Sequence, residues 1–136
     1  MLTNWMKKYI RREDGASTVE TVLWFPIIMM IFGLMIDVAM IFHGQAKILR
    51  VVQEVNRQIS IGNITTTDAA ETEIEGALAN MDITGTANMN NIAGVVYTRV
   101  DVDAGELQVL GYFSVLAGRG LNIQVVDEYM IENWEV

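Results

Sequence analysis

Residues 15–42 read GASTVETVLWFPIIMMIFGLMIDVAMIF: two small residues, a glutamate, and then a run in which Asp37 is the one ionisable side chain from Thr21 to Phe42. As a helix rising 1.5 Å per residue, positions 21–42 reach about 33 Å, enough to cross a hydrocarbon layer ~30 Å thick. Pro26 is the sole proline of the chain. The helix is therefore expected to continue beyond the apolar run and to stop at Ile61-Gly62, where glycine suits the left-handed turn that ends helices. One long helix is the spine from which the remaining residues are read.

The flanks of the run differ in charge. Lys7, Lys8, Arg11 and Arg12 precede it, offset by Glu13 and Asp14. Basic residues on a short flank are retained in the cytoplasm, so the N-terminus is expected inside and the C-terminal part outside. Of nine basic and seventeen acidic residues, four and two lie in positions 1–15, so the formal charge moves from -8 for the whole chain to -10 without them. An acidic outer part repels phosphate, and nucleic acid is not an expected partner. An ordinary secretory signal is a poor reading, because the apolar run is too long for one and contains Pro26 and Asp37.

The residue inventory leaves little for catalysis. There is no cysteine and a single histidine, His43. Disulfides, thiol chemistry and cysteine metal sites are excluded, and no histidine pair is present for haem. No phosphate-binding glycine loop or nucleophile elbow occurs. Asp101-Val102-Asp103-Ala104-Gly105-Glu106 resembles a fragment of a calcium loop but lacks its third Asp or Asn and its distal glutamate. It is read as a hairpin turn. The chain is expected not to be an enzyme and to need no cofactor or metal.

Beyond the run, Ile48, Val52, Val55 and Ile59 recur at helical spacing with Arg50, Glu54 and Arg57 off the stripe. Asp68 to Asn80 reads as a second, short helix capped by Asp68, with Glu71 three residues on. Gly85 to Asn91 is small and polar and reads as a loop. Alternation over Val96–Val102, Leu107–Phe113 and Leu121–Met130, separated by Asp103-Ala104-Gly105 and Gly118-Arg119-Gly120, predicts a three-stranded antiparallel sheet. The helical stripe would cover that sheet. The expected class is α+β: a long N-terminal transmembrane helix, then a small domain of a short helix and three antiparallel strands. Trp134 is free to dock on that sheet or to meet a partner.

Gly15, Ala16 and Glu20 match the glycine, the residue after the cut and the fifth-position glutamate of type IV prepilin-like proteins. The stretch RREDGASTVETVLWFPIIMMIFGLMID, residues 11–37, most resembles the TadE-type pseudopilins of the tight-adherence (Flp) pilus system. The likeness covers roughly residues 11–61 and is type IV pilin-like in its long helix. It departs at Thr21, where an aromatic commonly follows the glutamate. The further globular part favours a pseudopilin over a major Flp pilin, which ends soon after its helix.

The resemblance implies a leader of residues 1–15 removed by a prepilin peptidase, a helix of residues 16–61 spanning the membrane at about 21–42, and an extracytoplasmic head of residues 62–136. It implies residence in the cytoplasmic membrane, and outside the cell once in a pilus. It implies a minor pilin or pseudopilin that takes part in pilus assembly or initiation, with lipid and other pilins as partners of the helix. An uncleaved single-pass protein with a partner-binding outer domain is the alternative.

Three residues of the stretch 15–42 are candidates for assembly. Glu20 is a carboxylate at the edge of hydrocarbon, where even lenient insertion scales give a cost of ~2.5 to 3.5 kcal/mol at mid-bilayer. Cleavage after Gly15 would create an ammonium at Ala16, and one subunit's Glu20 can neutralise a neighbour's. Pro26 lacks an N–H and should loosen the helix locally. Asp37 can pair with a partner helix or reach the outer interface.

Overall fold

The computed structural model describes residues 14–118 and 120–131, with side chains from Thr18 onward. The 1–13 part of the expected leader, Arg119 and Trp134 lie outside the described residues.

Helix α1, Asp14–Ser60, is 47 residues long, about 70 Å at the usual rise. It runs through Pro26 without interruption. It ends as expected at Gly62, whose φ is +78°. The Asn63 N–H bonds the Gln58 carbonyl at 2.9 Å and the Gly62 N–H bonds that of Ile59 at 3.0 Å. This paired closure satisfies carbonyls that a helix end otherwise leaves open.

Helix α2, Thr67–Ala79, starts two residues earlier than the cap assigned to Asp68 predicts. Thr66 is the cap, and its hydroxyl accepts the Ala69 N–H. Asp68 instead occupies the first turn, where its charge complements the helix dipole. The same paired closure ends α2, with Asp82 in the left-handed position at φ +57° and the Ile83 N–H on the Leu78 carbonyl at 3.1 Å.

The sheet is antiparallel with three strands in the order β1 (Gly85–Ile92), β2 (Val95–Asp103), β3 (Asn122–Met130). The class is the expected one, but two segments exchange roles. Gly85–Asn91, expected as a loop, is the first strand. It joins β2 in a two-residue hairpin, Ile92 pairing with Val95 across Ala93 and Gly94, both at positive φ. Asparagine and glycine are poor strand formers, and this strand is held by what it packs on. Ala87 and Met89 point to the core, while Thr86, Asn88 and Asn90 point to solvent.

Leu107–Phe113, expected as a strand, is not one. Asp103 caps a single helical turn, α3 (Ala104–Leu107), through the Gly105 N–H, and a second short helix, α4 (Tyr112–Ala117), follows Gly111 at φ +82°. The hairpin turn expected at Asp103–Gly105 is thus a helix start. The alternation that suggested a strand mixes two environments: Leu107 is buried and Phe113 packs against the core, while Val109 and Leu110 stay exposed.

The inner face of the sheet lies under α1 and α2. Ile48, Val52 and Val55 of α1 and Ala70, Ile74 and Leu78 of α2 are buried with Val96, Val100, Val102 and Val125. Burial of side chains like these stabilises by about 1.5–3 kcal/mol each, and it is what holds an acidic head to a helix. Among the described residues, α1 is the one helix long and apolar enough to cross a membrane.

Candidate assembly site on the long helix

The α1 helix has two zones. Every residue from Thr18 to Phe32 is exposed, so this zone carries no part of the head. Gly15 and Ala16 sit in its first turns, Glu20 follows, and Pro26 lies midway. Pro26 removes the N–H that would bond the Val22 carbonyl. The large exposed side chains here include Leu23, Trp24, Phe25, Ile27, Ile28 and Phe32, a surface that needs lipid or other helices around it.

The second zone begins at Gly33. Gly33, Asp37, Ile41, Gly44, Ile48, Val52 and Val55 are all buried. Their separations of four, four, three, four, four and three keep them on one face of a helix with about 3.6 residues per turn. The stripe recognised at Ile48–Ile59 therefore continues downward through the apolar run. Sequence periodicity hides that extension because the neighbouring faces are equally apolar there.

Two glycines let the head approach. A Cβ on Gly33 would lie 2.5 Å from Cδ2 of Tyr112, and one on Gly44 would lie 2.8 Å from a Leu107 methyl. Between them, the carboxylate of Asp37 is fully buried. Its Oδ1 accepts the N–H groups of Leu110 at 2.7 Å and Val109 at 3.1 Å, and its Oδ2 accepts that of Phe113 at 3.2 Å. A carboxylate is matched by several convergent amides as well as by a cation. Gln108 and Ser114 close the same loop, with the Ser114 N–H on Oε1 of Gln108 at 3.1 Å and Nε2 of Gln108 on the Ser114 hydroxyl at 3.0 Å.

The candidate residue Asp37 is thus engaged by the chain's own loop. The sequence offered two hints of this. An acid inside an apolar run must find donors, and Leu107–Gly118 contains no charge to compete for it. Glu20 and Pro26 are not brought to the head: they lie in the bare zone, below the first head contact at Gly33.

Higher on the helix, a second polar contact fixes the sheet. Thr98 faces inward at the centre of β2, paired with Met89 on one side and Asp127 on the other. Its hydroxyl donates to Oδ1 of Asn56 at 2.8 Å, and Nδ2 of Asn56 donates to Asp127 at 2.8 Å. Among the described residues, no buried side-chain nitrogen or oxygen lacks a partner. Where α1 is exposed, Arg57 bonds Glu54 at 2.8 Å and holds that carboxyl below the ordinary glutamate range. Both groups are open to water, and such pairs contribute little.

Glutamates of α2 guard the outer edge of the sheet. Glu75 accepts the Ala87 N–H at 3.1 Å and Glu71 accepts the Met89 N–H at 2.7 Å. These amides alternate along β1 and point away from β2, and the i, i+4 spacing of the two glutamates matches them. Glu106 of α3 likewise accepts the Thr84 N–H.

The arrangement binds and positions; its chemistry is packing, amide recognition and an exposed carboxylate near the helix start. Comparison with curated proteins and with solved structures gave no match. The family described as TadE-like protein does match, over residues 15–57. Those residues are α1 from its first turn to its last, and over them the chain is similar to the TadE-like family.

Proposed function

We propose that the chain is a minor pilin or pseudopilin, cut after Gly15 by a prepilin peptidase and taking part in assembly or initiation of a tight-adherence pilus. The observation that carries this reading is the bare zone of α1. From Thr18 to Phe32 the helix is exposed on every side, and this zone lies within the segment that matches the TadE-like family. A helix apolar all round is built for lipid or for a bundle of its own kind.

In this reading the N-terminus is cytoplasmic, the helix holds the protein in the membrane, and the head stands outside. Cleavage frees an ammonium at Ala16. Glu20 of one subunit neutralises that of a neighbour and sets the stagger between helices, and Pro26 gives the bare zone room to bend. Asp37 fixes the head to the helix, so that a helix placed in an assembly carries its head in one orientation. Exposure of Glu20 supports the pairing, since its carboxylate is free to be approached from outside the subunit.

The test is the mass and N-terminal sequence of the protein purified from membranes of cells with the native prepilin peptidase. A species beginning at Ala16, and lost in Gly15→Ala, is the expected result. A chain still beginning at Met1 beside an active peptidase would leave a single-pass anchor with a binding domain.

A further inference from the structure

We propose that the segment Val109–Ala117 is a second membrane contact, lying in the interfacial zone of the leaflet on the head's side. The inference rests on the spanning reading of α1 and extends it to the head.

The argument begins with lengths. Counted from Thr21, Gly33 and Asp37 stand about 18 and 24 Å along the helix. A hydrocarbon layer ~30 Å thick ends beyond both of them. Tyr112 packs on Gly33, and Val109, Leu110 and Phe113 bond Asp37, so this loop lies within the outer part of that layer. Tilting the helix only lowers it further. The zone below Gly33, residues 18–32, reaches about 22 Å and is too short to span alone.

The loop is made for that place. No charge occurs from Leu107 to Gly118, the bounding charged residues being Glu106 and Arg119. From Val109 to Ala117 its aliphatic side chains face outward, while Phe113 packs against the core: Val115 is 85% exposed, Leu116 72% and Val109 62%. Water would be a poor neighbour for such a cluster. Non-helical backbone at membrane depth survives only where its polar groups are satisfied internally. Here Asp37 takes the amides of Val109, Leu110 and Phe113, and Gln108 takes that of Ser114. Tyr112 supplies the amphipathic ring typical of the interface.

The occupant is lipid rather than a second copy because the exposed loop is continuous with the lipid-facing side of α1. Phe32, Met35, Ile36 and Met40 remain exposed at the same height, and one apolar surface passes from the helix onto the loop.

The chain has no cysteine, so single-cysteine variants label cleanly. The full chain carrying Leu116→Cys, Glu73→Cys or Phe25→Cys, each with an environment-sensitive fluorophore, is reconstituted in phosphatidylcholine–phosphatidylglycerol vesicles. Quenching is read with iodide and with lipids bearing a nitroxide near the headgroup or near the bilayer centre. The expected result is a position-116 label shielded from iodide and quenched more by the shallow nitroxide than by the deep one, with the position-73 label open to iodide. A position-116 label as open as the position-73 label, while the position-25 label stays lipid-quenched, would overturn the proposal and leave the span intact. Labels at 25 and 116 both in water would overturn the spanning reading too. Shielding at 116 that disappears as protein is diluted in lipid would assign the surface to a second copy and overturn the lipid contact.

Discussion

The Oδ1 atom of Asp37 and the amide nitrogen of Leu110, 73 positions apart in the chain, meet at 2.7 Å. This contact ties the end of the head nearest the bare zone to the helix at a fully buried carboxylate. Removing the acid leaves several amides without acceptors at once. Each buried donor left unpaired costs about 1–3 kcal/mol. Asp37→Ala is therefore expected to lower head stability by ~3 kcal/mol or more, with Asp37→Asn intermediate because one oxygen remains. Hydrogen exchange would show fast amides at Val109, Leu110 and Phe113 and unchanged protection at Ala87 and Met89. Equal loss at both sets would mean that the loop is not an independent unit.

Gly33 is required for the approach of Tyr112, whose ring occupies the space of a side chain. Gly33→Leu is expected to displace the ring and to cost about 1–3 kcal/mol, as overpacking does. Tyr112→Ala should then recover part of that loss. A double-mutant cycle by thermal or denaturant unfolding in detergent reads the coupling, and additive effects would place the two residues out of contact.

The glutamates on α2 protect the β1 edge. Glu71→Ala with Glu75→Ala opens the amides of Met89 and Ala87, and an open edge is a template for pairing with another chain. The expected outcome is a loss of about 1–2 kcal/mol together with concentration-dependent association in sedimentation. A variant that stays monodisperse would show that another feature blocks the edge.

Among the described residues, two that are not glycine occupy left-handed backbone, Asp82 and Ala93. Ala93→Asn places Asn-Gly in a hairpin turn where both central residues need positive φ, and Asp82→Gly removes a side chain from a helix-closing position. Each is expected to raise stability by about 0.5–1 kcal/mol. A fall in the unfolding midpoint for either would indicate that the side chain is held by contacts worth more than the strain.

Much of this architecture was legible before any coordinates. Ile48, Val52, Val55 and Ile59 announced a buried face because Arg50, Glu54 and Arg57 contrast with them. Gly62 announced the end of the helix because glycine takes the left-handed turn without strain. The alternation of Val96–Val102 was equally plain. The strand at Gly85–Ile92 was hidden because its asparagines and glycine lack β propensity and its edge is satisfied by glutamates from another element. The segment at Leu107–Phe113 misled for the opposite reason: its apolar residues alternate in sequence but divide between the core (Leu107, Phe113) and the surface (Val109, Leu110), and Gly111 breaks the strand at positive φ. The need of Asp37 for donors was legible, but not which groups supply them, since its partners are backbone amides and amides have no signature in sequence.

The two zones of α1 also make the molecule a gauge. Gly33, Asp37, Gly44 and Ile48 clamp the head over a fixed length of helix, so its distance from Glu20 is set in rigid steps of helical rise. Asp37 stands seventeen positions above Glu20, about 25 Å. Whatever engages that lower carboxylate determines how far the head stands from the layer in which the helix is held. A slip of one helical turn between neighbouring subunits would reappear undiminished, as a displacement of about 5.4 Å, at the outer end of the head.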